Sequence, residues 1–502
     1  MKPPLNVLWL MSDQHNAHCM GCAGHPDVRT PHLDALAGLG TRFTHAYCNN
    51  PICGPSRSCF LSGQFVKTHG IAANFIRERE DEAPNLGRTF REGGYQCALI
   101  GKAHLPAKWV REGFEYVRLS DLADASVDDP RTCHYFNDLV EAGLADDYDQ
   151  GTLMPGHPGC GMRSFISRLP EEYSLEAWTG REARGFLARR DRERPFFLKV
   201  SFQRPHDPYA PPAARAHEYA PEALRLPDNA DDFLRYRLKG KPKAQQQYAA
   251  GELGVGYPFR PRDAEDLKLQ MARHFTLITM IDEAIGGILA DLKTAGDLDN
   301  TLIVYVADHG DFAGEHGMML KNLGIYESIH NIPLIIAGPG VPAGQVRDAF
   351  FESVDFFPTL CELTGLKADP AVDGVSRVPE LEGAAPRLEQ TVCEWLSTRG
   401  DGDEVHAVRA ERYRYVVYDN APEDGELYDH RTDPEEMVNL FHDPDCQDVV
   451  RHFQQVVEAY RKGAVRRQTP ADDACLAKQY LSSPTLQLHQ GGACWSELVS
   501  RV

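Results

Sequence analysis

The chain has 502 residues, 42% of them hydrophobic, which is more core than one compact unit usually holds, so two domains are expected. Charged residues make up 25%, ordinary for a globular protein, and the formal net charge of −20 repels nucleic acid and anionic membranes, which excludes both as partners. A site for an anion in so acidic a chain needs its own cluster of positive charge.

In chain order, short apolar runs at Val7–Met11, Gln96–Ile100, Phe196–Phe202, Leu302–Ala307 and Pro333–Ala337 read as buried parallel strands. Helical segments lie between them. Thr30–Leu39 has Thr30 as N-cap, Pro31 in the first turn and Gly40 past its end. His274–Ala295 keeps Ile278, Ile281, Ile285, Ile288, Leu289 and Leu292 at helical spacing, and Gly296 stops it. Strands alternating with helices predict an α/β/α sandwich with a mainly parallel central sheet. Glu352–Leu366 reads as the last helix of this unit, and the texture changes near residue 370. The expected division is a catalytic domain over 1–372 and a small C-terminal α+β domain over 373–502. The latter holds strand-like Thr391–Trp395 and Tyr413–Tyr418, a helix near Gln447–Arg461 and an extended tail.

No apolar run is long enough to span a bilayer, and Met1–Met11 lacks the regions of a signal peptide. With thirteen cysteines at irregular spacing, the expectation is a reducing, cytoplasmic location with mostly free thiols. Cys19-x-x-Cys22 has no second such pair and does not read as a zinc site.

Ligands of open parallel sheets bind at the carboxyl ends of the strands. Four of the expected strands end in polar residues, each with at least one that ionises: Asp13 and Gln14, then Lys102 and His104, then Arg204 and His206, then Asp308 and His309. Asp13, Gln14, Asp308 and His309 suit a hard divalent cation. Lys102, His104, His206 and Lys321 suit an anion with dispersed oxygen charge, as a sulfuryl or phosphoryl group has. Together they would stabilise an anionic transition state.

Cys53-Gly54-Pro55-Ser56-Arg57, followed by Leu61-Ser62-Gly63, matches the C-x-P-S-R signature of the sulfatases. The chain also resembles that family at Asn6–Gln14, Thr30–Phe43, Gly101–Leu105, Arg204–His206, Asp308–Gly310, Gly314–Gly317 with Lys321, and Glu426–Asp429. The resemblance covers roughly residues 5 to 440. It implies an alkaline-phosphatase-like sandwich, and oxidation of Cys53 to formylglycine by a formylglycine-generating enzyme. A thiolate is a poor sulfuryl acceptor, whereas a hydrated aldehyde carries two hydroxyls on one carbon. One would attack sulfur and expel the alcohol; the other, deprotonated, would collapse and expel sulfate. The resemblance further implies that Asp13, Gln14, Asp308, His309 and position 53 hold the metal, with calcium the default and manganese or magnesium the alternatives. Arg57 would keep one hydroxyl poised, Lys102 would orient the hydrate and His104 would take the proton that drives sulfate release. His206 and Lys321 would grip the sulfate oxygens, one of them protonating the leaving oxygen.

Many family members carry two adjacent aspartates where this chain has Asp13-Gln14, a pattern resembling choline sulfatases and phosphonate monoester hydrolases. The alternative activity is therefore phosphonate monoester or phosphodiester hydrolysis, against which Lys102 and His104 weigh. The alcohol half of the substrate is left open among aryl, saccharide and choline esters, and so is homo-oligomerisation. Arg77, His134 and Tyr135 are conceivable substrate contacts but fit structural roles better. His15, His316 and His330 read as packing or surface and Cys59 as a buried small side chain, and Asp311, close behind His309, is a conceivable support behind the ligands but is left outside the set.

Overall fold

The computed structural model describes residues 4–74, 83–121, 133–148, 164–251, 261–321, 324–396 and 404–463. Arg77 and the tail beyond 463 lie outside them. The large sheet contains β1 (Asn6–Asp13), β2 (Gly40–Tyr47), β3 (Gln96–Gly101), β4 (Tyr116–Leu119), β5 (Phe196–Pro205), β6 (Thr301–Ala307), β7 (Leu334–Ala337) and β8 (Gln345–Glu352). Their spatial order is β4-β3-β5-β1-β6-β7-β2-β8. β1 sits in the middle, parallel to β5 on one side and β6 on the other. Every residue of β1 is buried, which is why its sequence does not alternate.

Helices cover both faces. On one, α1 (Pro31–Leu39), α4 (Leu175–Arg189) and α5 (Ala264–Ala295) bury Leu33, Leu36, Phe186, Ile281 and Ile285 against Leu8, Leu10 and Leu198. On the other, α2 (Cys53–Ser62), α3 (Leu86–Glu92) and α6 (Phe356–Thr364) bury Phe60, Leu86, Phe90, Phe356 and Phe357 against Trp9, Met11 and Phe197. A second, antiparallel sheet is built from β9 (Gln390–Leu396), β10 (Glu404–Ala410), β11 (Tyr413–Tyr418) and β12 (Glu426–Asp429). Its strand order is β12-β11-β10-β9. One face of it is covered by Val450, Phe453 and Val457 of α7 (Gln447–Lys462).

Two local expectations need correction, and a third holds in position but with a different capping group. The strand expected at Pro333–Ala337 is antiparallel to both neighbours, β6 and β2. A parallel return needs a crossover helix, and between Ala307 and Leu334 the only α-helix among the described residues is the single turn Glu327–His330. The connection instead carries Asp308, His309 and Lys321 past the end of the sheet and re-enters it as an antiparallel strand. Thr30 stands at the N-cap of α1 without a side-chain capping bond. The N–H groups of His32 and Leu33 are instead taken by the Asp282 carboxylate of α5, at 3.1 and 2.7 Å. The long helix α5 itself starts ten residues before the expected His274, capped by Asp263.

Gly101 ends β3 at φ +97°, and a Cβ there would lie 2.0 Å from the Ser201 carbonyl oxygen. Only glycine permits this approach of β3 to β5, and the turn it makes leads directly into Lys102.

Candidate active site

The ends of β1, β3, β5 and β6 meet the start of α2. Cys53 is the first residue of that helix, and Arg57, four residues on, shares its face. Both are buried. The Cys53 Sγ lies 3.2 Å from His309 Nε2, 3.6 Å from Asp13 Oδ1 and 3.7 Å from Lys321 Nζ. Asn74 receives the Gly54 N–H at 3.0 Å, fixing the loop that opens the helix.

Arg57 organises the carboxylates. Its Nε donates to Asp308 Oδ2 at 2.7 Å and its Nη2 to Asp13 Oδ2 at 3.2 Å. Its Nη1 donates to the Lys102 carbonyl and to Ser201 Oγ, both at 2.8 Å. A buried ion group of this kind is costly to break, on the order of 3–5 kcal/mol when one partner is removed. Lys102 Nζ reaches Asp13 Oδ2 at 2.7 Å. Burial alone would raise the Asp13 carboxyl, but Lys102, His206 and Arg57 together hold it well below the usual carboxylate range. Burial would likewise raise the Cys53 thiol, yet Lys102, Lys321 and His309 pull it well below its ordinary value.

Gln14 follows β1 in a left-handed conformation, φ +64°, uncommon for a residue other than glycine. Its backbone N–H donates to Asp308 Oδ1 at 3.0 Å. Its side-chain oxygen accepts from Lys321 Nζ at 2.6 Å. His309 is turned by a 3.0 Å contact between its Nδ1 and the Gly310 carbonyl, which directs Nε2 at Cys53. His104 also adopts positive φ, and its Nε2 meets the Asn74 carbonyl at 3.3 Å. His206 stands at the rim with its side chain 23% exposed, and its Nδ1 faces the Asp207 carbonyl at 2.8 Å.

The structure thus brings Asp13, Gln14, Cys53, Arg57, Lys102, His104, His206, Asp308, His309 and Lys321 to one place. Asp13, Cys53, Asp308 and His309 each offer one atom within 4.8 Å of the others, and all four are buried. Two carboxylates, an imidazole nitrogen and an amide oxygen turned inward fit a hard divalent cation. Against those two carboxylates stand Arg57, Lys102 and Lys321, so this pocket of an acidic chain is locally rich in positive charge.

The residues read as packing are packing. His15 joins Tyr305 at 2.5 Å and the Cys19 carbonyl at 3.0 Å. His316 joins Asp232 at 2.8 Å, and Arg414 donates to His330 at 3.1 Å. Cys59 is buried against His69. His134 accepts the Leu119 N–H, and Tyr135 donates to the Tyr173 carbonyl in a satellite core. Sequence reading missed Ser201 and Asn74, and left Asp311 outside the set. Ser201 carries no signal of its own, being one polar residue in an apolar strand. Asp311, two residues after His309, reads as a conceivable support behind the ligands, but no local pattern ties it to Gln14.

The family model described as Sulfatase matches residues 5–366. A model described as N-sulphoglucosamine sulphohydrolase, C-terminal, matches 314–463. The chain is 25% identical to an N-acetylglucosamine-6-O-sulfatase of Bacteroides thetaiotaomicron over 91% of its length and 86% of the relative. It is 28% identical to a choline-sulfatase of Rhizobium meliloti, covering 88% of this chain and 83% of that one. The crystal structure of a phosphonate monoester hydrolase of Agrobacterium radiobacter shares the fold with a TM-score of 0.75 at 24% identity, covering 92% of this chain and 96% of that one.

Proposed function

We propose, from the premise that this chain belongs to the sulfatase family and is an enzyme of sulfate ester hydrolysis, that it cleaves a sulfate monoester with a nucleophile made from Cys53. The observation that carries this reading is the Cys53 side chain, buried at a helix start within 3.2–3.7 Å of His309, Asp13 and Lys321. Converted to formylglycine, position 53 supplies a hydrated aldehyde as nucleophile and a route to sulfate release that a thiol lacks. Asp13, Gln14, Asp308 and His309, with position 53, hold a divalent cation, calcium by default. That cation supplies Lewis-acid stabilisation of negative charge on oxygen.

The chain's own side chains do the rest. Arg57 clamps Asp13 and Asp308 and so fixes the cation's carboxylates. Lys102, bonded to Asp13, orients the group at position 53. The Nε2 of His104 is engaged by the Asn74 carbonyl, so its Nδ1 is the basic nitrogen that takes the proton accompanying sulfate release. Lys321 and His206 bind the sulfate oxygens. The Nδ1 of His206 is engaged by the Asp207 carbonyl, so its Nε2 is the nitrogen left for the leaving oxygen, and it gives that oxygen a proton only as the imidazolium, with both ring nitrogens protonated. The catalytic unit is assigned to 1–372 and the C-terminal unit to 373–502.

The alcohol is first sought among saccharide hydroxyls, because the aligned Bacteroides relative is named for one. Lys102 and His104 favour sulfate over phosphonate monoesters. Ranking saccharide, aryl and choline sulfates beside a phosphonate monoester by kcat/KM tests this. A sulfate ester should lead, and a phosphonate monoester turned over fastest would overturn the assignment.

A further inference from the structure

Asp311 is fully buried two residues beyond His309. Its Oδ1 accepts the backbone N–H groups of Ala313 at 2.7 Å and Leu320 at 3.0 Å. Its Oδ2 accepts Gln14 Nε2 at 2.6 Å and the Tyr209 hydroxyl at 2.7 Å. No cationic side chain pairs with it among the described residues. Its four donors are all neutral, two from the loop backbone and two from side chains, and one of the side chains is Gln14.

Gln14 is gripped at both ends. Lys321 Nζ can only donate, so the amide must face it with oxygen; a carboxylate can only accept, so the amide must face Asp311 with nitrogen. An amide oxygen has two lone pairs, of which Lys321 uses one. Without Asp311 the amide could rotate and present its NH₂, which binds no cation.

We propose that Asp311 is the positioning residue that makes Gln14 an oxygen ligand of the cation site, by holding the amide nitrogen on the side away from Lys321. This rests on the cation set proposed above. It also accounts for the departure from two adjacent aspartates: a carboxylate at position 14 would meet Asp311 in a buried place with no cation between them, which is strongly unfavourable.

The hydrogen-bond pattern gives a reciprocal test. In Asp311→Asn the oxygen must stay on the side that takes the Ala313 and Leu320 N–H groups, so the loop is kept and the new NH₂ faces Gln14. The glutamine then meets donors on both sides and must give up either its bond to position 311 or, by flipping, its bond to Lys321. Gln14→Glu alone sets carboxylate against carboxylate. When the two substitutions are combined, the carboxylate at position 14 accepts from the amide at position 311 with one oxygen and from Lys321 with the other.

The experiment is calorimetric titration of calcium, manganese and magnesium into the metal-stripped full-length protein, with the thermal midpoint of each metal-free variant measured alongside. Each single variant should bind the preferred ion about 10–100-fold more weakly. The double variant should return to within about three-fold of the parent, a coupling that independent sites do not show. Asp311→Asn binding as tightly as the parent overturns the proposal. So does a double variant no better than the singles, which would leave Asp311 a loop support only. A parent protein that binds none of the ions refutes the cation set itself, a result distinct from both.

Discussion

Lys321 reaches the Gln14 side-chain oxygen at 2.6 Å from 307 residues further along the chain, and stands 3.7 Å from the Cys53 sulfur. One ammonium thus touches both the proposed cation set and the nucleophile position. Lys321→Ala should therefore lower kcat on a sulfate ester by about 10²–10³, the usual cost of one preorganised oxyanion contact. Steady-state kinetics checks it, and a variant with parental kcat would remove Lys321 from the sulfate site.

In the proposed reaction, position 53 decides the chemistry. In protein made by a host with formylglycine-generating activity, peptide mass spectrometry should find Cys53 converted to the aldehyde. Cys53→Ser should lose on the order of 10³-fold or more in kcat, since the group doing covalent catalysis is gone. An unmodified thiol in fully active enzyme would contradict the proposed nucleophile.

Much of this site was legible in the sequence because each strand ends in its functional residue. Asp13, Lys102, His206 and Asp308 lie at or just past apolar runs that have to be buried, and a parallel sheet aligns those ends. The four-residue spacing of Cys53 and Arg57 places both on one face of a helix. What stayed hidden depends on long-range partners. β7 has the composition of a parallel strand, and only its connection makes it antiparallel. The capping of α1 by Asp282 joins residues 250 apart, and the pairing of Gln14 with Asp311 joins residues 297 apart. No local pattern encodes either. β2, with His45 and Thr44 among its residues, lacks an apolar run and is not among the expected strands, although Phe43 and Ala46 are buried.

Removing divalent metal should lower stability as well as activity. Asp13, Asp308, His309 and position 53 converge only in the folded chain, so an ion bound there stabilises it by mass action, by about 2.7 kcal/mol at 100-fold excess over Kd. Thermal unfolding after exhaustive chelation should shift upward on adding back calcium, manganese or magnesium, and the ion giving the largest shift identifies the preferred one. An unchanged midpoint together with full activity after chelation would refute the cation set.

Acid should weaken the contact between the two sheets at a defined place. Buried Arg414 of β11 donates to Glu436 at 2.5 Å and also pairs with Glu327, which sits on the loop between β6 and β7. Glu436 Oε2 accepts the Glu327 N–H at 2.9 Å, and His430 joins Oε1 at 2.8 Å. Burial alone would raise the Glu436 carboxyl, but Arg414 and His430 overcome that and hold it at about 2 against an ordinary 4.5. A depressed carboxylate contributes stability in full above its unfolded value and loses it as pH falls towards the folded one. Its contribution at neutral pH is on the order of 3 kcal/mol. Glu436→Gln should therefore unfold at lower denaturant than the parent at pH 6, and the gap in unfolding free energy should narrow by on the order of 2 kcal/mol by pH 3. Glu327 faces the same arginine and is depressed well below its ordinary value by Arg409 and Arg414 against the effect of burial, so some acid sensitivity from it persists in either protein. A gap that stays constant across that range would mean that Glu436 is not held ionised by Arg414, and that the two sheets are joined there by shape alone.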